Sequence, residues 1–270
     1  MEKIIKLGPW LIAVIAIIYT TCMLISPWIQ NDYDWQKVQD VWERWQALNV
    51  GILAFISSSI AFYISRYNSE QQRNREFIAS KAFLPHALSE LNSYLKLSAP
   101  ILVSAYEYSL NPRLRAMKIP GIERLPGTEI AAPEAPSIPE LPRSYAEVFT
   151  NCIRHAQPEV GEYLSNILRL LQIHHTRMNE FSASFNTVTN SPYHLSCLYS
   201  LGELGALVNN LFDFARSESN FHNPELTWES FDTAFRTLNI SPENHVELEI
   251  HTKRALARHK KYTGHIKSFT

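Results

Sequence analysis

The side chains able to do chemistry are thinly spread. His174 and His175 are adjacent, with Glu180 close behind, and are the first place to look for a metal. Neighbouring residues on a helix point about 100° apart, so both imidazoles reach one ion only where a helix ends. His155 with Glu159, His245 with Glu249 and Glu247 with His251 are i,i+4 pairs of the kind that share zinc in His-Glu helical motifs. None completes a ligand set, and no second half recurs as a di-metal bundle requires. Cys22, Cys152 and Cys197 have no metal spacing. The first lies in an apolar stretch and the other two on apolar helix faces, where reduced cytosolic thiols are inert. There is no Walker A loop, dinucleotide-binding turn, Gly-x-Ser-x-Gly elbow or His-Glu-x-x-His. The expectation is a chain without catalytic residues, metal or cofactor. The enzyme alternative rests on His174, His175 and Glu180.

The elements that would position these residues begin with two apolar stretches, Leu7–Ile29 and Ala47–Ile64. About 20 apolar residues cross the hydrocarbon of a bilayer, and both stretches lack charge. Ser57, Ser58 and Ser59 do not forbid insertion, because a helical serine bonds back to the preceding turn. A cleaved signal peptide is the rival for the first stretch. It leaves the second stretch unexplained, and Ser26-Pro27-Trp28 is a poor cleavage site. Trp10, Trp28, Trp35, Trp42 and Trp45 gather near the span ends, as aromatic residues do at membrane–water boundaries. Trp35, Val38, Trp42 and Trp45 share a helical face, which predicts a short helix in the loop, lying on the membrane surface or extending the second span.

Basic residues set the topology. Lys3 and Lys6 precede the first span, and Arg66, Arg73, Arg75 and Lys81 follow the second. The loop carries Asp32, Asp34, Asp40 and Glu43 against Lys37 and Arg44. Positive flanks stay in the cytoplasm, so the expectation is a multi-pass protein of the inner (plasma) membrane with both termini cytoplasmic. In the second span Gly51, Ala54, Ser58, Ala61 and Ser65 recur at 3-4-3-4 spacing. Small side chains let membrane helices approach, and the first span offers Ala13, Ala16 and Thr20. The seam either closes a hairpin or joins subunits, where it would line a hydroxyl-bearing path. No ionisable residue lies in either span, which argues against a selective ion pathway.

Residues 67–270 are patterned as helix almost throughout. Stripes run through Tyr145, Val148, Phe149, Cys152 and Ile153, through Val160, Tyr163, Leu164, Ile167, Leu168 and Leu171, through Leu201, Leu204, Val208, Leu211 and Ala215, and through Trp228, Phe231, Phe235 and Leu238. Pro158, Pro192 and Pro242 sit at first turns, and Thr227 can cap the helix carrying Trp228. The fold class is all-α: a two-helix transmembrane hairpin (1–66, spans about 7–29 and 46–65, outside loop 30–45) followed by a cytosolic bundle. Residues 67–110 form a stalk and the first cytosolic helices, with Tyr67–Glu76 solvated and Pro85 restarting the helix. Seven of the 15 prolines fall in 111–142, which marks this segment as a polyproline-like linker, a strap, or a docking site for a proline-reading partner. Residues 143–270 form the bundle and its basic tail.

A near-neutral total hides segregated charge. Residues 159–249 hold 12 acids against four Lys or Arg, whereas 251–270 hold six Lys or Arg and no acid. The tail residues Lys253, Arg254, Arg258, Lys260 and Lys261 suit a helix C-terminus, anionic lipid head groups, or an acidic partner surface; nucleic acid is not expected.

The layout resembles uncharacterised bacterial two-transmembrane proteins with a helical cytosolic domain. The residues carrying the resemblance are Arg73, Arg75 and Phe77, then Leu84-Pro85-x-Ala87-Leu88-x-Glu90-Leu91. The resemblance is one of architecture. It implies an anchored helical scaffold or sensor module that self-associates and binds a further protein. Some two-span bacterial proteins of this size open the membrane in phage defence, so a regulated pore-former is the alternative.

Overall fold

The computed structural model describes residues 10, 14, 17–30, 32–110, 137–184 and 190–267. Among them every regular element is helical and no strand occurs. Two compact units emerge, Met1–Gln71 and Gln72–Thr270.

In the first unit a π-turn, Thr21–Ile25, leads into α1, Ser26–Gln30. Widening a helix to i→i+5 bonding frees backbone groups from the ladder. Here Ser26 N–H reaches back to Thr21 O, and the Trp42 indole N–H donates to Met23 O at 2.9 Å. Asp32 and Tyr33 take left-handed φ angles of 49° and 64° and turn the chain, with Tyr33 N–H donating to Trp28 O at 3.0 Å. Asp34 then caps α2, Trp35–Arg44, accepting from Gln36 N–H at 3.1 Å. Val38 is fully buried, and Trp28, Trp35 and Trp42 pack ring to ring at 5.6 and 5.9 Å. A short helix in the loop, as the tryptophan spacing predicts, is therefore present.

α3, Gln46–Lys81, follows directly and buries no residue. Among the described residues, the helix beginning at Gln46 is the one long and apolar enough to cross a membrane. Parts of the first apolar stretch, 7–9, 11–13 and 15–16, lie outside the described residues. Residues 67–75 are exposed, as are residues 60–66 before them.

The second unit is a bundle built on α7, Ser191–Ala215. Around it pack α4, Leu84–Leu110; α6, Pro158–Ser184; α8, Trp228–Thr237; and α9, Val246–Lys267, with α5, Tyr145–His155, against α4 and α6. The stripes foreseen above supply the core: Phe149, Leu164, Ile167, Leu171, Leu201, Leu204, Phe231 and Phe235 are all fully buried. Gly202 and Gly205 make the α7–α8 crossing close. A Cβ on Gly202 would lie 2.6 Å from Phe235 Cε1, and one on Gly205 would lie 3.2 Å from Leu238 Cδ1.

Helix ends explain why so few glycines suffice. Ser217 and Asn239 take left-handed φ angles of 63° and 59° after α7 and α8. Glu218 N–H then bonds Asp213 O at 2.9 Å, and Ile240 N–H bonds Phe235 O at 2.8 Å. These are Schellman closures without glycine. Thr227 N–H reaches Ser230 Oγ at 3.5 Å, the weak half of a capping box on α8.

The resemblance motif is also structural. Leu84, Ala87, Leu88 and Leu91 are buried, Pro85 occupies the first turn of α4, and Glu90 accepts from Ser144 Oγ. Of the proline-rich segment, 111–136 lies outside the described residues. In 137–142, which has no regular structure, Ile138 and Leu141 rest on the core.

Candidate functional site

The small-residue seam can be located on α3. Gly51, Ala54, Ser58, Ala61 and Ser65 are all exposed, and a Cβ on Gly51 would meet nothing within 4 Å. The half-buried residues are others: Asn49, Ile52, Ile56 and Ser59, a line that repeats every three or four residues. At 100° per residue the two lines lie on opposite sides of the helix. Tyr19 Oη donates to Asn49 Oδ1 at 2.7 Å, so the half-buried line starts where the preceding helical segment touches α3. The seam therefore faces away from that contact. Ser58 Oγ donates to Ala54 O at 2.8 Å and Ser59 Oγ to Phe55 O at 2.9 Å, which satisfies both hydroxyl protons within the helix. Each oxygen keeps lone pairs for a neighbour. Sequence periodicity alone missed the second line, because isoleucines recur around the helix; only the polar Asn49 hinted at its phase.

The last turns of α3 belong to the bundle. Phe77 packs on Phe214 with ring centres 6.4 Å apart, and Lys81 Nζ lies 3.9 Å from the centre of the same ring. Glu76 Oε2 lies 3.0 Å from His155 Nδ1. Burial lowers the Lys81 pKa, and it pushes the Cys152 thiol up to about 11 against the opposing pull of Lys81. Burial likewise raises Cys197. Both are thiols at neutral pH and poor nucleophiles.

His174 and His175 diverge. His174 is 3% exposed and continues the core stripe of Leu164, Ile167 and Leu171, and its Nε2 has no hydrogen-bond partner among the described residues. Burial, with help from His175 and Arg177, pushes its pKa down to about 4. His175 turns to α4, where its Nδ1 is hydrogen-bonded to Tyr94 Oη at 3.1 Å. Glu180 lies further along α6, on the side acting on Tyr193 and Cys197 of α7. The three do not meet at one point, and among the described residues no three His, Cys, Asp or Glu side chains converge on a metal position.

The basic helix α9 is tied at its start by Tyr106 Oη, which donates to Glu247 Oε2 at 2.7 Å. Lys253 is engaged, donating to Glu249 Oε1 at 2.6 Å with its ammonium 5.0 Å from the Trp228 ring centre. Arg254 and Arg258 enter no ion pair among the described residues. With His251 and Ala257 they line an open groove of ≈ 500 Å³, and burial, then Arg258 and Arg254, lowers the His251 pKa. Lys260 and Lys261 continue the helix, and their side chains lie outside the described part. No protein-family model, curated protein or solved structure matches this chain.

Proposed function

We propose that this protein is an anchored helical interaction and sensing module of the bacterial inner membrane, non-enzymatic and self-associating. The observation that carries the reading is the continuity of α3. One uninterrupted helix, Gln46–Lys81, begins with an unburied apolar stretch and ends under Phe214 in the bundle core. The same helix supplies residues to both compact units, so the apolar segment and the bundle share one element. In this reading the first apolar stretch is a second span, both termini are cytoplasmic, and the partners are the bilayer, further copies of the chain and an unidentified protein on the bundle. The separated His174, His175 and Glu180 lend nothing to an enzyme. Crosslinking in native membranes followed by mass spectrometry tests the proposal: multimers or a chain–partner adduct are expected, and recovery of monomer alone would overturn it.

A second reading is a regulated pore-former. The orientation of Gly51, Ala54, Ser58, Ala61 and Ser65, opposite the line that includes Asn49, favours it. A small, hydroxyl-bearing face turned away from the chain's own neighbouring segment is the surface a second copy would use. Depolarisation of cells on overexpression is the expected result, and unaffected membrane potential would exclude it.

A further inference from the structure

The first unit holds an open groove of ≈ 800 Å³ that the seam and the anchor reading leave unused. Its walls come from three places: the π-turn segment, one face of α2, and the start of α3. Two hydrogen bonds brace them, Tyr19 Oη to Asn49 Oδ1 at 2.7 Å and Trp42 Nε1 to Met23 O at 2.9 Å. The volume falls within the range of small-molecule sites, about 300–1,000 Å³.

Polarity changes along the groove. Gln39, Glu43 and Gln46, with Trp42 among them, give way along the helices to Val50 and Leu53 beside Asn49, and Tyr19 and Met23 complete the lining. Glu43 forms no ion pair among the described residues. The basic residues of α2, Lys37 and Arg44, lie toward the other side of that helix at 100° per residue, and Lys37 is engaged with Asp34 at 3.7 Å. The polar end therefore offers one carboxylate and two amides with no cation beside them. From Gln46 to Leu53 the helix rises about 10 Å at 1.5 Å per residue. That length carries it from the head-group layer, about 5–8 Å deep on each side, into hydrocarbon.

We propose that this groove binds a zwitterionic aminophospholipid of the outer leaflet, with the ethanolamine ammonium at Glu43 and one acyl chain along Val50 and Leu53. The gradient from acid and amide to aliphatic wall follows the order of groups in such a lipid. The single negative charge selects an ammonium head group over an anionic one. The Gln39 and Gln46 carbonyl oxygens accept the remaining ammonium protons, and their amide nitrogens donate to phosphate or ester oxygens. The inference rests on α3 crossing the membrane.

The test is native mass spectrometry of the full chain in detergent, titrated with phosphatidylethanolamine or phosphatidylglycerol of identical acyl composition. The unmodified chain should retain the ethanolamine lipid at least about fivefold better, equivalent to about 1 kcal/mol at 1.4 kcal/mol per decade. Glu43→Gln should bring the ratio close to one without changing glycerol-lipid retention. Leu53→Trp, which fills the apolar end, should lower retention of both. Equal retention by the unmodified chain overturns the proposal, as does an unchanged ratio in Glu43→Gln with its helical circular dichroism intact. Alkaline carbonate washing of the source membranes separates the two failures. A chain that stays in the pellet without lipid preference loses only the lipid site, whereas a chain released by carbonate loses the membrane reading and the site together.

Discussion

The Lys81 ammonium lies 3.9 Å from the centre of the Phe214 ring, on the last turn of the helix that begins at Gln46. Phe77, one turn earlier, meets the same ring, so a single aromatic side chain of α7 receives two successive turns of α3. Cation–π contacts are worth about 0.5–2 kcal/mol, with the larger values in desolvated settings. Lys81 is only partly buried, so this contact belongs toward the lower part of that range.

Phe214→Leu tests whether this contact holds the helix end. It keeps much of the buried volume while removing the π face and the ring stacking. A loss of about 1–2 kcal/mol is expected, from the cation–π contact and imperfect repacking. Limited trypsin digestion gives the local readout: cleavage after Lys81 should accelerate ahead of cleavage after Arg177 on α6.

Gly202→Ala should destabilise the bundle by about 1–3 kcal/mol through overpacking. The added methyl would lie 2.6 and 2.7 Å from Phe235 Cε1 and Cζ and 3.0 Å from Phe231 Cδ1. Both rings are fully buried and have little room to move. Thermal unfolding should show a midpoint lowered by several degrees. Gly51→Ala, which meets nothing within 4 Å, is the matched control with no expected cost in the bundle.

These two glycines show how far the sequence was legible. The helical stripes through Leu164, Leu201 and Phe231 were readable because a period of 3.6 betrays a buried face before any partner is known. The direction of approach was not readable. Gly202 is conspicuous only once Phe235 is placed against it, and pairing between α7 and α8 is long-range information. Likewise the seam from Gly51 to Ser65 could be seen as a pattern, but its exposure could not, because that depends on where Tyr19 binds. The 100° step between His174 and His175 was readable in sequence, but not that it sends one to the core and the other to Tyr94.

Acid should weaken the fold through His174. Its pKa is ordinarily 6.5 and is pushed down to about 4 by burial in the folded chain. Between those values the unfolded chain binds a proton that the folded chain refuses. Stability is therefore complete above about pH 6.5 and falls as pH drops toward 4, by about 3 kcal/mol at 1.36 kcal/mol per unit. His174→Phe should flatten that slope while leaving neutral-pH stability unchanged or higher, because it removes a buried nitrogen without a partner. Unfolding midpoints recorded from pH 4 to 7 give the comparison. His251 is shifted in the same direction, so part of the slope should survive in the variant.

The exposed seam makes the last prediction directional. If copies of the chain meet through Ala54 and Ser58, placing leucine at both positions separates the backbones and removes an accepting hydroxyl from the contact. The double variant Ala54→Leu, Ser58→Leu should lose crosslinked multimers and any dye leakage caused by overexpression. It should still reach the membrane, because leucine raises the apolarity of the helix. Ile52→Leu and Ile56→Leu, on the half-buried line opposite, change shape but not bulk and should leave the multimers in place. Equal loss from both pairs would show that the whole helix surface, rather than one face, governs assembly. Retention of multimers in the seam variant would move the subunit contact to the bundle, where Arg254 and Arg258, in no ion pair among the described residues, become the next positions to exchange.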